Sequence, residues 1–508
     1  MPTIVDVYKR GAAVLHGRRG ALIKWAAIVC TIAALIVSWG STIDNIPRDG
    51  IVTYDSWDNL ILAYNLSHHG TISISRSDVR PPPTSRREPL PVAFLAFYIA
   101  SVEAIYGKMP LQAYAQGLGT GRLKTSNVLW AGLLALAVFA SVVRLSGSFV
   151  LAGVGTVLAN TTVTKYFDRL LSEPHAAALL TVACYLSVVA LSRRRPLYFG
   201  FAGASFGALA LTKAAVFHVV IVLALLLFGW SLWQLRWVAE TRYVRIPGVI
   251  GFVLGFALTT GPWMLRNHVL LDHMGIRDSS AAVVLMVRAA KNTMSPTEYL
   301  GSFWVWAPNG VLKRLMSSLL GFSEVDLNRG GRLQRLSRSP KSAFFTSDIE
   351  AGQSGRPEKA VSFFGLARAE KTKAKRELLA EGYSLLAAEH ELEKRAMAEI
   401  LANPLRHMVM TLPFLWRGAG VTFPILVFVV CFAVKRRRPE LVVYVMPALV
   451  LIAFYALLTH FIARYGDPME PVSIVGGLVV SYAVVQHLMR RVARLLGCAQ
   501  HPGTRGAA

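Results

Sequence analysis

Long apolar stretches separated by short basic connectors run through most of the chain. Eleven of them are long enough to read as membrane helices, at roughly 22–40, 91–107, 126–145, 148–164, 174–192, 197–213, 215–234, 247–264, 418–434, 440–459 and 470–489. The connectors assign their sides. Arg193-Arg194-Arg195, the run from Arg236 to Arg245, Lys435-Arg436-Arg437-Arg438, and Arg490, Arg491 and Arg494 form the Lys/Arg excess of cytoplasmic loops. Residues 41–90, 165–173, 265–417 and 460–470, with the surroundings of Lys213, then face the other side. The first apolar stretch follows Lys9, Arg10, Arg18, Arg19 and Lys24. It is long for a signal-peptide core and Trp39-Gly-Ser-Thr42 is a poor cleavage site, so it reads as an uncleaved helix with a cytoplasmic N-terminus. Two cytoplasmic termini require an even number of crossings, against eleven segments. The doubtful stretch is 91–145: either 91–107 is a short or re-entrant helix, or a crossing is hidden in 108–125.

Composition agrees with an all-α polytopic membrane protein of about 10–12 helices. Of 508 residues, 54% are apolar or aromatic and 16% are charged, where soluble domains carry about a quarter charged. That excludes a soluble enzyme, a disordered chain and a disulfide scaffold. The 54 Lys and Arg against 29 Asp and Glu give +25, which on a soluble chain would suggest nucleic acid. Here the charge reports membrane topology first, and no nucleic-acid partner is expected. Cys30, Cys184 and Cys431 fall in apolar runs and Cys498 near the end; their spacing suggests buried small side chains rather than a metal or disulfide framework.

The expected organisation is an N-terminal membrane module over 1–264 that includes a first outer loop, 41–90; a large outer loop over 265–417; C-terminal membrane helices over 418–490; and a basic tail, 491–508. The first loop should hold a short helix, a strand-like stretch over Thr71–Ser77 and the Pro81-Pro82-Pro83 break. In the larger loop, 325–360 is rich in Arg, Ser and Gly and reads as mobile. Residues 366–402 have the spacing of an amphipathic helix lying across the membrane-facing rim.

Four groups of residues are candidates for chemistry. In Tyr54-Asp55-Ser56-Trp57-Asp58-Asn59-Leu60, the residues Trp57, Leu60, Ile61 and Tyr64 make one apolar face, as on a helix resting at the membrane surface. Asp55 at its start and Asp58 three residues on suit an N-cap and its capping-box partner; an interfacial carboxylate also suits a general base for a hydroxyl. Arg86-Arg87-Glu88-Pro89 stands where the chain re-enters the membrane, and its arginines either snorkel or bind phosphate. Glu173 and His175 border an apolar helix beside Asp168 and Arg169; Glu173 either complements the helix dipole or acts in a site, and the pair is a weak metal signal. Lys213, Arg266 and Arg464 are cations at outer helix ends, against the positive-inside bias, and from three separate helices they suit one shared anion. No phosphate-binding Gly-rich loop or nucleophile elbow is present. The sequons at Asn65 and Asn160 fall on a candidate interfacial helix and within a span, and are discounted.

Taken in order, these elements resemble the GT-C superfamily of polyprenyl-phosphate-sugar-dependent glycosyltransferases, in the bacterial branch related to protein O-mannosyltransferases and aminoarabinose-lipid A transferase. The matching residues are Asp55-Ser56, Ala63-Tyr64-Asn65-Leu66, Gly70, Arg87-Glu88-Pro89-Leu90, Ser172-Glu173, Leu211-Thr212-Lys213, Pro262-Trp263 with Arg266-Asn267, and Arg464-Tyr465 with Pro468. They span about residues 20–490. Asn59 and Pro91 stand where the family often has Tyr. The resemblance implies a multi-pass enzyme of the bacterial inner membrane with its active site facing the periplasm. It would transfer a sugar from an undecaprenyl-phosphate-type donor to a glycan, lipid or protein acceptor among membrane lipids. Asp55 would be the general base. Lys213, Arg266, Arg87 and Arg464 would bind the donor phosphate, and Glu173 would orient the acceptor or a metal. Asp58, Tyr465 and His175 would line the acceptor cavity. Metal use varies in that superfamily, and the sequence itself requires no cofactor.

Two other classes compete. A polysaccharide polymerase or ligase would carry its key arginines in the large loop. A lipid or solute transporter would show internal symmetry and mid-membrane acids, whereas here the acids gather at one interface. The discriminating test is whether Asp55, Glu173, Lys213 and Arg266 converge.

Overall fold

The computed structural model describes residues 21–22, 24–37, 39–40, 49–76, 81–237, 244–278, 281–337 and 344–495. Among these every regular element is a helix, giving an all-α polytopic membrane architecture. The first helices are α1 (Lys24–Val37), α2 (Tyr54–His69), α3 (Pro89–Tyr106), the short α4 (Leu111–Ala115) and α5 (Thr120–Lys124), and α6 (Ser126–Ser146). Then come α7 (Phe149–Thr164), α8 (Glu173–Arg193), α9 (Pro196–Ala210), α10 (Ala215–Trp237) and α11 (Ile246–Leu271).

Seven of the helical stretches are long and apolar enough to cross a membrane, one bent pair makes an eighth, and three shorter apolar helices complete eleven. The extra segment is α3. Its first turn is tied to the end of α9, where the Leu90 amide donates to the Leu211 carbonyl at 3.0 Å. Its middle bonds the start of α6 through Tyr98 and Thr125 at 2.7 Å, and its last turn pairs with α2 through Glu103 and His68 at 3.1 Å. The chain leaving it returns at once to Gly50, whose amide donates to the Gly117 carbonyl. Both ends of α3 therefore sit at the same end of the bundle, the one opposite the basic connectors. One face of α3 (Val92, Leu95, Ile99) packs on α2, while Phe97 and Ile105 are exposed; α2 itself is buried on several faces (Leu60, Ile61, Leu62 and Ala63) rather than resting on a surface.

The tightest helix pair is α9 with α11, whose backbones meet because both carry glycines. A Cβ at Gly203 would strike the Phe252 carbonyl, one at Gly255 the Gly200 carbonyl and one at Gly251 the Pro196 carbonyl. Small residues at such spacing are what let membrane helices approach closely, and this pair aligns the end of α9 that carries Lys213.

The large loop is also helical. It holds α12 (Ala281–Lys291), α13 (Pro296–Val305), α14 (Gly310–Leu320), α15 (Phe345–Ser354), α16 (Phe363–Ala380) and α17 (Leu385–Ala402). The stretch expected to be one surface helix is thus two, broken at 381–384. Both pack with α12, burying Leu378, Leu392 and Ile400. Of the stretch expected to be mobile, the described residues form short 3₁₀ turns, connecting turns and α15, and residues 338–343 lie outside the described residues. Thr71–Ser75 is extended without a strand partner, and Asn65 Nδ2 donates to the Ser73 and Ser75 carbonyls. The chain ends with α18 (Pro404–Val409), α19 (Leu412–Ala419), α20 (Thr422–Lys435), α21 (Pro439–Leu458), α22 (Ala463–Gly466) and α23 (Glu470–Leu495). Of the cysteines, Cys184 is buried while Cys30 and Cys431 are exposed on their helices; Cys498 and most of the basic tail lie outside the described residues.

Candidate active site

α2 begins at Tyr54, which adopts a left-handed backbone (φ 52°) that a bulky side chain rarely takes. Its N-cap is Thr53, and no side chain caps the helix. Asp55 is therefore not the cap that its position suggested. Its Oδ1 accepts from Arg87 Nη2 in a short contact, and its Oδ2 accepts from Arg464 Nη2 at 2.7 Å. One turn on, Asp58 accepts from Arg87 Nη2 at 3.0 Å and from Arg86 Nε at 3.3 Å. Arg87 is drawn inward between the two acids, while Arg86 stays mostly exposed. The pair of acids on one helix face holds the segment before α3 against α2.

Glu173 is the first residue of α8, with Pro174 behind it, where the helix dipole favours a carboxylate. It is 2% exposed. Its Oε1 accepts from Lys213 Nζ at 3.1 Å and lies 3.1 Å from Arg464 Nε, while its Oε2 is buried without a hydrogen-bond partner. Lys213 hangs in the turn after α9. Arg464 comes from α22, so its guanidinium spans the two acids and joins α2 to α8. Six residues from five separated segments thus form one network, Asp58–Arg87–Asp55–Arg464–Glu173–Lys213, with Asp58 as its outer member.

Arg266 lies beside this network rather than in it. It donates to the Thr84 carbonyl at 3.1 Å and to Asn267 Oδ1 at 2.8 Å, with its guanidinium 4.7 Å from the Trp263 ring. It therefore supports the Thr84–Arg87 segment. Tyr465 follows Arg464 and packs on Tyr455 and His460, with ring centroids at 5.4 and 5.8 Å. His175 turns away from Glu173. It lines a small cavity with Asn59, Phe94 and Asn127, its ring 4.3 Å from that of Trp130, and neither ring nitrogen has a partner. Among the described residues no three His, Cys, Asp or Glu side chains gather as a metal-ligand set.

The sequence reading missed a second pair. Glu88 accepts from Arg277 Nη1 and from the Ala214 amide, each at 3.4 Å, tying the large loop to the Lys213 turn. Burial alone would raise the Glu88 pKa, but Arg277 and Lys213 outweigh it and hold the carboxyl below its usual range. The same balance operates at Asp55: burial raises it, and Arg87 and Arg464 more than reverse the effect, keeping it ionised far below the ordinary Asp range. Six cations (Arg86, Arg87, Lys213, Arg266, Arg277, Arg464) gather with five carboxylates (Asp55, Asp58, Glu88, Glu173, Asp278), so the site carries one more positive than negative group, and its arginines suit an anion.

No family model matches the chain, and no curated protein matches it. Among solved structures it is similar to the crystal structure of ArnT from Cupriavidus metallidurans in the apo state, with 13% identity, 90% of this chain and 78% of that chain covered, and a TM-score of 0.34.

Proposed function

We propose that the chain is a membrane-embedded, inverting glycosyltransferase of the GT-C kind. In this reading it moves a sugar from a polyprenyl phosphate to a hydroxyl of a cell-envelope acceptor at the periplasmic face. The ordered motifs support the class. The observation that carries the reading is Arg464 joined to both Asp55 and Glu173, which gathers an acid on α2, an acid on α8 and cations from three other segments.

The chemistry follows from the charges. Asp55 takes the proton of the acceptor hydroxyl, and that oxygen attacks the anomeric carbon. The bond from that carbon to the phosphate oxygen breaks, and its electron pair leaves on the polyprenyl phosphate. The leaving group is already an anion, so it needs cations rather than a proton donor; this reading assigns that role to Arg87, Arg464 and Lys213. Both Asp55 oxygens are engaged by guanidinium groups here, and a carboxylate so held is a poor base. A donor phosphate that draws Arg464 or Arg87 to itself frees the carboxylate as it binds, since arginine binds phosphate in the same forked manner. Glu173 Oε2, buried and without a partner, then accepts a hydrogen bond from the acceptor.

The test is transfer from a labelled polyprenyl-phosphate sugar by the purified protein in lipid discs. Asp55→Asn should abolish transfer while folding and donor binding persist; full activity in that variant would reject the assignment. Mass spectrometry of envelope glycans from a deletion strain then names the sugar and acceptor.

A further inference from the structure

Away from this site, the bent pair at the end of the large loop has an unusual setting. The run Pro404–Ala419 meets α20 at 99°. α20 packs against α21, a helix long and apolar enough to cross a membrane, so the bend turns α18 and α19 roughly perpendicular to that direction. Leu405, Met408, Val409 and Leu412 follow the i, i+3, i+4, i+7 spacing of one helix face and are all exposed, Leu405 by 80%. α14 repeats the pattern with Val311, Leu315 and Leu319 exposed along one stripe beside Lys313 and Arg314. An apolar stripe flanked by bases on a helix lying in the plane is the signature of an interfacial segment.

Between α13 and α18 this belt is indented by a groove of about 380 Å³. Pro296, Tyr299, Leu300, Val409 and Met410 line it, and the one charged lining side chain is Arg406. The volume lies within the range of small-molecule sites, roughly 300–1,000 Å³. Arg406 is exposed and forms no ion pair among the described residues; its guanidinium makes one long contact, 3.4 Å, to the Met294 carbonyl. The nearest acid of α13, Glu298, is already committed to Arg335 at 2.6 Å. The groove thus offers an apolar trough with a free cation at its edge.

We propose that this groove seats an acyl chain of an anionic membrane phospholipid, with the lipid phosphate held by Arg406. The site is separate from the proposed transfer chemistry and stands whether or not that reading does. Apolar surface at membrane depth selects a lipid, and the lone arginine selects negative charge on the headgroup.

Native mass spectrometry of the full chain, titrated with phosphatidylglycerol and with phosphatidylcholine, tests this. The wild type should retain phosphatidylglycerol in preference. Arg406→Ala should weaken that adduct about fivefold or more, and Val409→Trp, which fills the groove, should weaken both lipids. Circular dichroism and thermal melting confirm that each variant is folded. A photoreactive phosphatidylglycerol should label residues 294–300 and 405–410. Equal retention of the two lipids, wild-type binding by either variant, or label spread evenly along α14 and α18 would each overturn the proposal.

Discussion

Arg464 and Asp55 are 409 positions apart in the chain, yet Nη2 of the first donates to Oδ2 of the second at 2.7 Å. The same guanidinium lies 3.1 Å from Glu173 through Nε. Only a planar fork addresses two acids from two of its edges. Arg464→Ala should lower kcat/KM by about 10²–10³, the usual cost of one lost charge-stabilising donor. Arg464→Lys, which keeps the charge but reaches one acid at a time, should recover only part of the loss. Steady-state kinetics with donor varied at fixed acceptor measures both.

Asp55→Asn and Asp55→Ala should separate chemistry from stability. Asn keeps the shape but has one acceptor oxygen, so it can accept from only one of Arg87 and Arg464; transfer should fall by about 10²–10⁴, with a smaller loss of melting temperature than Ala causes. Ala leaves two guanidinium groups without that acid. Because the site is partly exposed, the added destabilisation should be about 1–2 kcal/mol, read as a lowered melting temperature in detergent.

The depressed Asp55 pKa also sets a pH dependence. A carboxyl held below its unfolded value of about 3.9 contributes stability that is fully present above that value. The contribution is lost as pH falls through the lower, folded value. Wild-type melting should therefore be insensitive to Asp55 between pH 5 and pH 8 (a range in which the group does not titrate), and Asp55→Asn should flatten the acid limb below about pH 4. An acid limb in kcat well above pH 4 that disappears in donor-free binding would report Asp55 released from its arginines by the donor.

Lys213→Met should be the most damaging change at the site. Glu173 is almost fully buried and would keep only Arg464, and removing one partner of a buried pair costs about 3–5 kcal/mol. Lower folded yield and a weakened donor KM are expected together. Lys213→Arg should restore the yield more fully than the activity.

The α9–α11 contact makes a prediction far from the chemistry. Gly255→Leu drives a side chain into the Gly200 carbonyl and should cost roughly 1–3 kcal/mol or more. Gly229→Ala, where a Cβ meets nothing within 4 Å, is the matched control and should melt like the wild type.

How much of this was legible beforehand differs by residue. The apolar segments were readable because a helix that crosses a membrane needs a long apolar run everywhere, and Asp55, Arg87, Glu173, Lys213 and Arg464 stood out as charges beside the ends of such runs. What pattern did not reveal was pairing. The capping spacing of Asp55 and Asp58 looked local, but their partners lie 28 to 409 residues away. Arg266 shared the motif order yet bonds a carbonyl instead of the acids, and Arg277 lay in a loop with no periodicity to mark it. α3 passed every test of hydrophobicity for a span, since one face packs on α2 while Phe97 and Ile105 stay exposed on the other, and composition does not tell such a helix from one that crosses. His175 followed Glu173 by two residues, which on a helix points its ring to another side.

The separation of Asp55 from Arg464 also bears on how the protein is made. At about 5–20 residues per second, the 409 intervening positions take roughly 20–80 s to synthesise. During that interval α2 and its aspartate are already in the membrane while the arginine does not yet exist. A nascent or truncated chain thus lacks the bridge between α2 and α8, and the charge network is completed only when α22 has been made.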